Sequence, residues 1–214
     1  MQDIVIFGAG GLAKEVAFLI DDINRVTPTW NILGYVVRDE EPVGQMIGKY
    51  PVAFREAQLA ERVVAAAIGI GDPATRQKTA ERFAQQSIIS FPNLIHLATI
   101  WDQERVTLGQ GNIVCAGNIF TTDIRIGSFN HFNLNCTYGH DVEIGDYCVF
   151  NPGINLSGGV VIGSGCLIGT GATILQYIKL SQRVTVGAGA VVTRDVAEGL
   201  TVVGVPAKPL PPKN

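Results

Sequence analysis

The chain has 214 residues, enough to bury one large core or two small ones, and although 47% are hydrophobic, no unbroken apolar run reaches the roughly 18 residues that a membrane-spanning helix needs. A net charge of -3 argues against a nucleic-acid partner, which calls for a clustered basic surface. The first residues run directly into a strand pattern without a basic leader and cleavage site, so a cytoplasmic protein with neither membrane nor nucleic-acid partners is expected.

Taken in chain order, DIVIFGAGG reads as an apolar strand entering a glycine turn, and LAKEVAFLIDDI continues at helical spacing through Val16, Leu19, Ile20 and Ile23. Gly8, Gly10 and Ala13 fit the turn in which backbone approaches a phosphate at a helix N-terminus. A second strand, NILGYVV, ends at Arg38 and Asp39. A third, VVAAAIGIG, leads through Asp72 into a helix carrying Arg76. Residues 1–92 therefore read as an α/β half-Rossmann-like domain, too small for a complete dinucleotide site. Its strand ends at Gly10, Gly11, Arg38, Asp39 and Asp72 face the side where open α/β sheets bind ligands, and Arg76 offers a charge for a phosphate.

From Leu108 the beat changes. Fifteen positions in steps of six, ending at Val192, all carry large apolar residues, and the residue after them is Gly seven times. A period of six fits neither an α-helix nor an unbroken strand; it fits short strands separated by bends, three to a coil of 18 residues. First and fifth positions of each hexad should point inward, and the fourth should need a positive φ. Seven fourth positions are Gly, while Asp123, Asn135 and Asp141 tolerate that backbone best among the others. The fourteen hexads of residues 108–191 make a parallel β-helix of just under five coils. The expected domains are residues 1–92, a β-helix over residues 93–195 and a tail over residues 196–214.

Cys136, Cys148 and Cys166 fall at inward fifth positions and read as core, whereas Cys115, at an outward second position, is the one expected to be exposed. No CxxC pair or Cys/His cluster suggests a metal. His96 reads as structural. His131 and His140 both lie outside the inward set, and either could serve as the proton acceptor in an acyl transfer. The residues alone leave the two nearly tied.

Four stretches carry a family resemblance: IGSGCLIGTGATI in the repeats, VGVPAKPL at residues 203–210, GAGGLAKEV near the start and FNLNCTYGHDVEIGD in between. The chain resembles the hexapeptide-repeat acyltransferases, whose β-helix is left-handed. Within them it is similar to bacterial sugar acetyltransferases of the sialic acid O-acetyltransferase type, which include nucleotide-amino-sugar N-acetyltransferases. The likeness spans nearly the whole chain. It implies acetyl-CoA as acyl donor, no metal, a sugar or nucleotide-sugar acceptor, a homotrimer and a place in cell-surface polysaccharide biosynthesis. It puts the catalytic histidine on His140, assisted by Asp141, the acceptor near Gly10, Gly11 and Leu12, and the donor near Gly158, Thr170 and Ala188. Asn133 is added as a residue that could orient the acceptor. Leu12 stands where many members have His or Phe, and Val149 where a further histidine falls.

The expected function is transfer of an acetyl group to a sugar amine or hydroxyl, directly, with a histidine as general base. Three other classes compete. A non-catalytic β-helix scaffold would not need the GHD segment, a zinc carbonic anhydrase-like enzyme needs three metal histidines, and an NAD-linked enzyme needs a larger first domain. Outward apolar residues, Phe129, Leu134 and Tyr147 among them, are expected to be covered in a trimer.

Overall fold

The structure is a computed structural model describing residues 1–59, 62–83, 85, 86 and 88–211; residues 212–214 of the expected tail lie outside the described residues. Strand β1 (Gln2–Phe7) leads into helix α1 (Gly11–Val26), followed by β2 (Trp30–Val37), β3 (Met46–Ile47), β4 (Tyr50–Arg55), β5 (Val64–Ile68), α2 (Pro73–Phe83) and β6 (Ile89–Ser90). They form one sheet in the order β3-β4-β2-β1-β5-β6, parallel except for β3. The pleat sends alternate residues of β1 to opposite faces. Ile4 and Ile6 pack with Val16, Leu19 and Ile20 of α1, while Val5 and Phe7 pack with Ala80 and Phe83 of α2. Burial on both faces explains why β5 reads VAAAI with no polar alternation.

The remaining chain coils into a left-handed parallel β-helix with three faces. The first face begins at Leu94–Ile95 and passes through Ile113–Val114, His131–Phe132, Val149–Phe150, Leu167–Ile168 and Thr185–Val186 to Thr201–Val203. The second face has six strands, from Ile100–Trp101 to Val191–Val192, and the third has five, from Val106–Leu108 to Lys179–Leu180. Coiling therefore starts before the hexad beat is recognisable and ends after it, giving more coils than the just under five counted from residue 108.

The hexad register accounts for the interior. Every first position from Val114 to Val192 is buried, as are the fifth positions from Asn112 to Ala190 except the half-buried Ile178. Aromatic rings fill the wide lower coils: Phe120 stacks on Tyr138 at 4.4 Å and Phe132 on Phe150 at 5.0 Å, the two pairs meeting edge to face. Three inward fifth positions are polar, and hydrogen bonds make that tolerable. Asn112 donates to the Gly127 carbonyl at 2.9 Å, Asn130 accepts from the Cys148 amide at 2.7 Å, and Asn118 donates to the Asn133 carbonyl at 2.8 Å. All fourteen fourth positions from Gly111 to Gly189 have positive φ, including those occupied by Phe129, Tyr147, Tyr177 and Arg183.

The α/β domain sits on the first face. Leu94, Ile113 and Cys115 join the core under α1, and Phe91 meets Phe129 edge-on at 5.2 Å, with Tyr147 stacked on Phe129 at 5.8 Å. This docking overturns three expectations. Phe129 is 3% exposed and Tyr147 half-buried, so both serve contacts within the chain instead of facing outward. Cys115 is buried, and burial pushes its thiol up to about 12, which leaves it unreactive. Arg76 does not offer its charge to a ligand: it is fully buried and donates to the carbonyls of Ile68 (2.8 Å), Ile70 (3.1 Å) and, across the junction, Phe129 (3.2 Å). Burial lowers its guanidinium to about 9, still charged at neutral pH.

Candidate active site

Two corners of the β-helix and one sheet edge hold the expected site residues. His140 and Asp141 lie between the second and third faces, at the bend after Thr137–Tyr138. Asp141 occupies a fourth position, with φ 59°, and this backbone turns its carboxylate back onto the neighbouring ring. Asp141 Oδ2 is 2.7 Å from His140 Nδ1. A carboxylate only accepts, so Nδ1 carries the hydrogen, and in the neutral imidazole Nε2 is the nitrogen with the lone pair. Both side chains are more than half exposed, His140 at 58% and Asp141 at 65%, so the pair is open to a ligand.

One coil onward, the imidazole lies over Gly158. A Cβ built on that glycine would stand 2.5 Å from His140 Nε2 and 2.6 Å from Cε1, and the next residue, Gly159, donates its amide to the His140 carbonyl at 2.8 Å. Gly158 thus serves the histidine's position directly. Thr170 and Ala188 are at a different corner, between the first and second faces, stacked on one another through the hydrogen bond from Gly189 to the Thr170 carbonyl. The expected donor residues therefore flank the second face from its two edges, Gly158 on one side and Thr170 with Ala188 on the other.

The other histidines are removed from chemistry. His131 is fully buried under the docked domain, neither ring nitrogen has a hydrogen-bond partner among the described residues, and burial with the nearby Arg76 cation holds its imidazole well below the usual range. Its expected outward position is outward from the coil only, because α/β-domain residues cover it. His96 Nδ1 accepts the Ala98 amide at 2.9 Å and its Nε2 lies 2.6 Å from Asp22 of α1, a structural clip between the domains.

The acceptor candidates gather at the carboxyl ends of β1, β2 and β5. Gly8 needs its φ of +94°, and a Cβ on it would meet the Gly69 carbonyl at 3.0 Å; on Gly10 and Gly11 a Cβ would meet nothing within 4 Å. The mouth of the turn is therefore open, and Leu12 borders it, 3.6 Å from where a Cβ on Gly71 would lie. Asp72 caps α2, accepting the Thr75 amide at 2.8 Å. Arg38 pairs with Glu41 at 3.2 Å, and Asp39 accepts the Ala57 amide at 2.8 Å, so both are engaged in their own loops. Asn133 is nearly buried and donates to Glu15 of α1 at 3.2 Å, tying the β-helix to that helix. The charged corner below His140 escaped the sequence reading: Arg105 grips Asp123 through two bonds of 2.9 and 2.7 Å, and Arg125 pairs with Glu143 at 3.0 Å. Their spacing of 18, one coil, was the available signal.

A His–Asp pair with a free Nε2, set over a glycine on a left-handed hexapeptide β-helix behind a half-Rossmann domain, has the architecture of a hexapeptide-repeat acyltransferase. Residues 3–83 match the PglD N-terminal domain. Among solved structures, the acetyltransferase domain of PglB from Neisseria gonorrhoeae FA1090, in complex with acetyl coenzyme A, is 30% identical over 98% of this chain and 99% of its own, with a TM-score of 0.87. WeeI from Acinetobacter baumannii AYE is 30% identical over 98% of this chain and 100% of its own, at 0.86. A histidine-to-asparagine variant of perosamine N-acetyltransferase from Caulobacter crescentus, in complex with CoA and GDP-perosamine, is 28% identical over 99% of this chain and 98% of its own, at 0.88. Comparison with curated proteins finds no match. The chain belongs to the hexapeptide-repeat sugar acetyltransferases. It is accordingly an enzyme that acetylates sugars. Among the described residues no group of three or more His, Cys, Asp or Glu could hold a metal ion, and no helix is long and apolar enough to cross a membrane.

Proposed function

We propose that this enzyme transfers the acetyl group of acetyl-CoA to the amine of a nucleotide-linked amino sugar, with His140 as general base and no acyl-enzyme. The observation that carries the reading is the free Nε2 of His140, held over Gly158 while Nδ1 is fixed by Asp141. The glycine corner, which has no side chain of its own beside the His140 ring, fits a narrow thioester arm, and acetyl-CoA supplies the activated acetyl group. As the acceptor nitrogen bonds to the acetyl carbon, Nε2 takes the proton that nitrogen must shed; Asp141 steadies the imidazolium, which returns the proton to the departing thiolate. The backbone N–H of Gly158, beside the ring, is the candidate donor to the carbonyl oxygen as it gains charge. Thr170 and Ala188 extend the donor site. Gly10, Gly11 and Leu12 form the acceptor's cradle, with Asp72, Arg38, Asp39 and Asn133 at its margins.

An amine is preferred to a hydroxyl because the perosamine enzyme, alike over nearly the full length, is named as an N-acetyltransferase. The same reading takes the enzyme as a cytoplasmic homotrimer acting in cell-surface polysaccharide synthesis. The test is thioester consumption measured across nucleotide-linked amino sugars and sialic acids. Turnover with an amino-sugar nucleotide is expected, and turnover with sialic acids alone would overturn the choice of amine. Gly11→Trp should abolish acceptor binding and spare coenzyme A binding; Ala188→Trp should do the reverse.

A further inference from the structure

We infer that Tyr177 is a donor-contacting residue whose ring forms the wall opposite His140, above the Gly158–Gly159 floor. The inference rests on the reading of His140 as the base and names a residue which that reading did not need.

Three aromatic side chains stand at fourth positions in the left-handed backbone region, Phe129, Tyr147 and Tyr177, at φ of 59°, 60° and 61°. That conformation is unfavourable for a bulky residue; the coil corner imposes it at all fourteen fourth positions, and packing can offset its cost. Phe129 and Tyr147 are compensated within the chain: they stack on each other and pack under the docked α/β domain. Among the described residues Tyr177 has no such cover; it is 74% exposed. It is also the residue one coil above Gly159 and two above Asp141, and its amide donates to the Gly158 carbonyl at 3.0 Å. Its ring reaches down until Cε1 lies 2.7 Å from where a Cβ on Gly159 would stand, as His140 does at Gly158 from the other side. Two rings thus close over two consecutive glycines.

Polarity decides which substrate meets the phenol. Below His140 the corner carries the Arg105–Asp123 ion pair, with Arg125 and Glu143 paired on the adjoining third face, and suits a polar sugar. Directly above it the glycine backbone of Gly158 and Gly159 meets the Tyr177 ring, beside the exposed Gln176 and Lys179, and backbone amides with an aromatic face suit the amides and methylenes of a pantetheine arm. A strained, exposed ring that ligand burial would repay is therefore assigned to the donor.

The decisive experiment titrates coenzyme A into the full-length wild type, Tyr177→Gly and Tyr177→Phe, and records melting temperature and oligomeric mass alongside. Tyr177→Gly should weaken coenzyme A binding about tenfold, the worth of one good aromatic contact. Its melting temperature should hold or rise by about 2–4 °C as the backbone strain is relieved. Tyr177→Phe should retain affinity. In steady state the KM for acetyl-CoA should rise with kcat and acceptor KM unchanged. Equal coenzyme A affinity in wild type and Tyr177→Gly, a shift in acceptor KM instead, or a smaller assembly for the glycine variant would each overturn the assignment. A wild type that does not bind coenzyme A would instead sink the underlying reading.

Discussion

The imidazole of His140 occupies the space that a side chain at residue 158 would fill, with Nε2 only 2.5 Å from an ideal Cβ on Gly158. The two residues are one coil apart, so the β-helix itself sets the position of the base. Gly158→Ala should fold, because the glycine's φ is not in the left-handed region, yet should push the ring aside. We expect kcat to fall about 10²-fold, toward the level of a variant lacking the base. Near-normal kcat in a folded Gly158→Ala enzyme would show that the ring's seat is unimportant.

Asp141 fixes the tautomer through a 2.7 Å bond but is itself exposed. Asp141→Asn should therefore cost about tenfold in kcat, less than removal of His140. A loss as large as that of His140→Ala would mean that the carboxylate handles the proton itself.

The buried His131 predicts a pH effect on stability. Its imidazole is held neutral in the fold, well below the ordinary value of 6.5, whereas the unfolded chain binds a proton at about that pH. Below about pH 6.5 the unfolded state thus holds more protons, and stability should fall by up to about 1.4 kcal/mol per pH unit; above it the contribution is constant. Urea unfolding between pH 5 and 8 checks this, and His131→Leu should flatten the dependence. An unchanged slope in that variant would assign the effect elsewhere.

Much of this molecule is legible in its sequence, and the limits have a physical cause. The six-residue beat foretells the inward first and fifth positions and the positive φ at Asp123, Asn135 and Asp141, because those are local demands of a coil corner. It does not distinguish a corner that faces water from one beneath another domain. His131, Phe129 and Cys115 on the β-helix and Arg76 on α2 were misjudged because the junction between the two parts covers them: the Arg76–Phe129 bond spans 53 residues of sequence and leaves no local mark. The resemblance, not the spacing, separated His140 from His131; the structure adds that His131 is buried.

Removing Phe129 and Tyr147 from the expected trimer surface leaves another patch. Ile100 and Ile119 are paired neighbours on the second face, 64% and 36% exposed, with Leu97, Leu134 and Phe18 also exposed. Closed threefold packing through this region would cover it. Light scattering at micromolar concentration should give a trimer mass for the wild type and a smaller one for the Ile100→Lys, Ile119→Lys double variant. A wild-type monomer, or a double variant that remains trimeric, would contradict this arrangement.

The measurement that bears most directly on the account is single-turnover acetyl transfer by His140→Ala with donor and acceptor both saturating, beside His131→Leu. The account predicts a fall of roughly 10²- to 10⁴-fold for His140→Ala, with coenzyme A still bound, and near-normal transfer by a folded His131→Leu. Wild-type transfer by His140→Ala would contradict it.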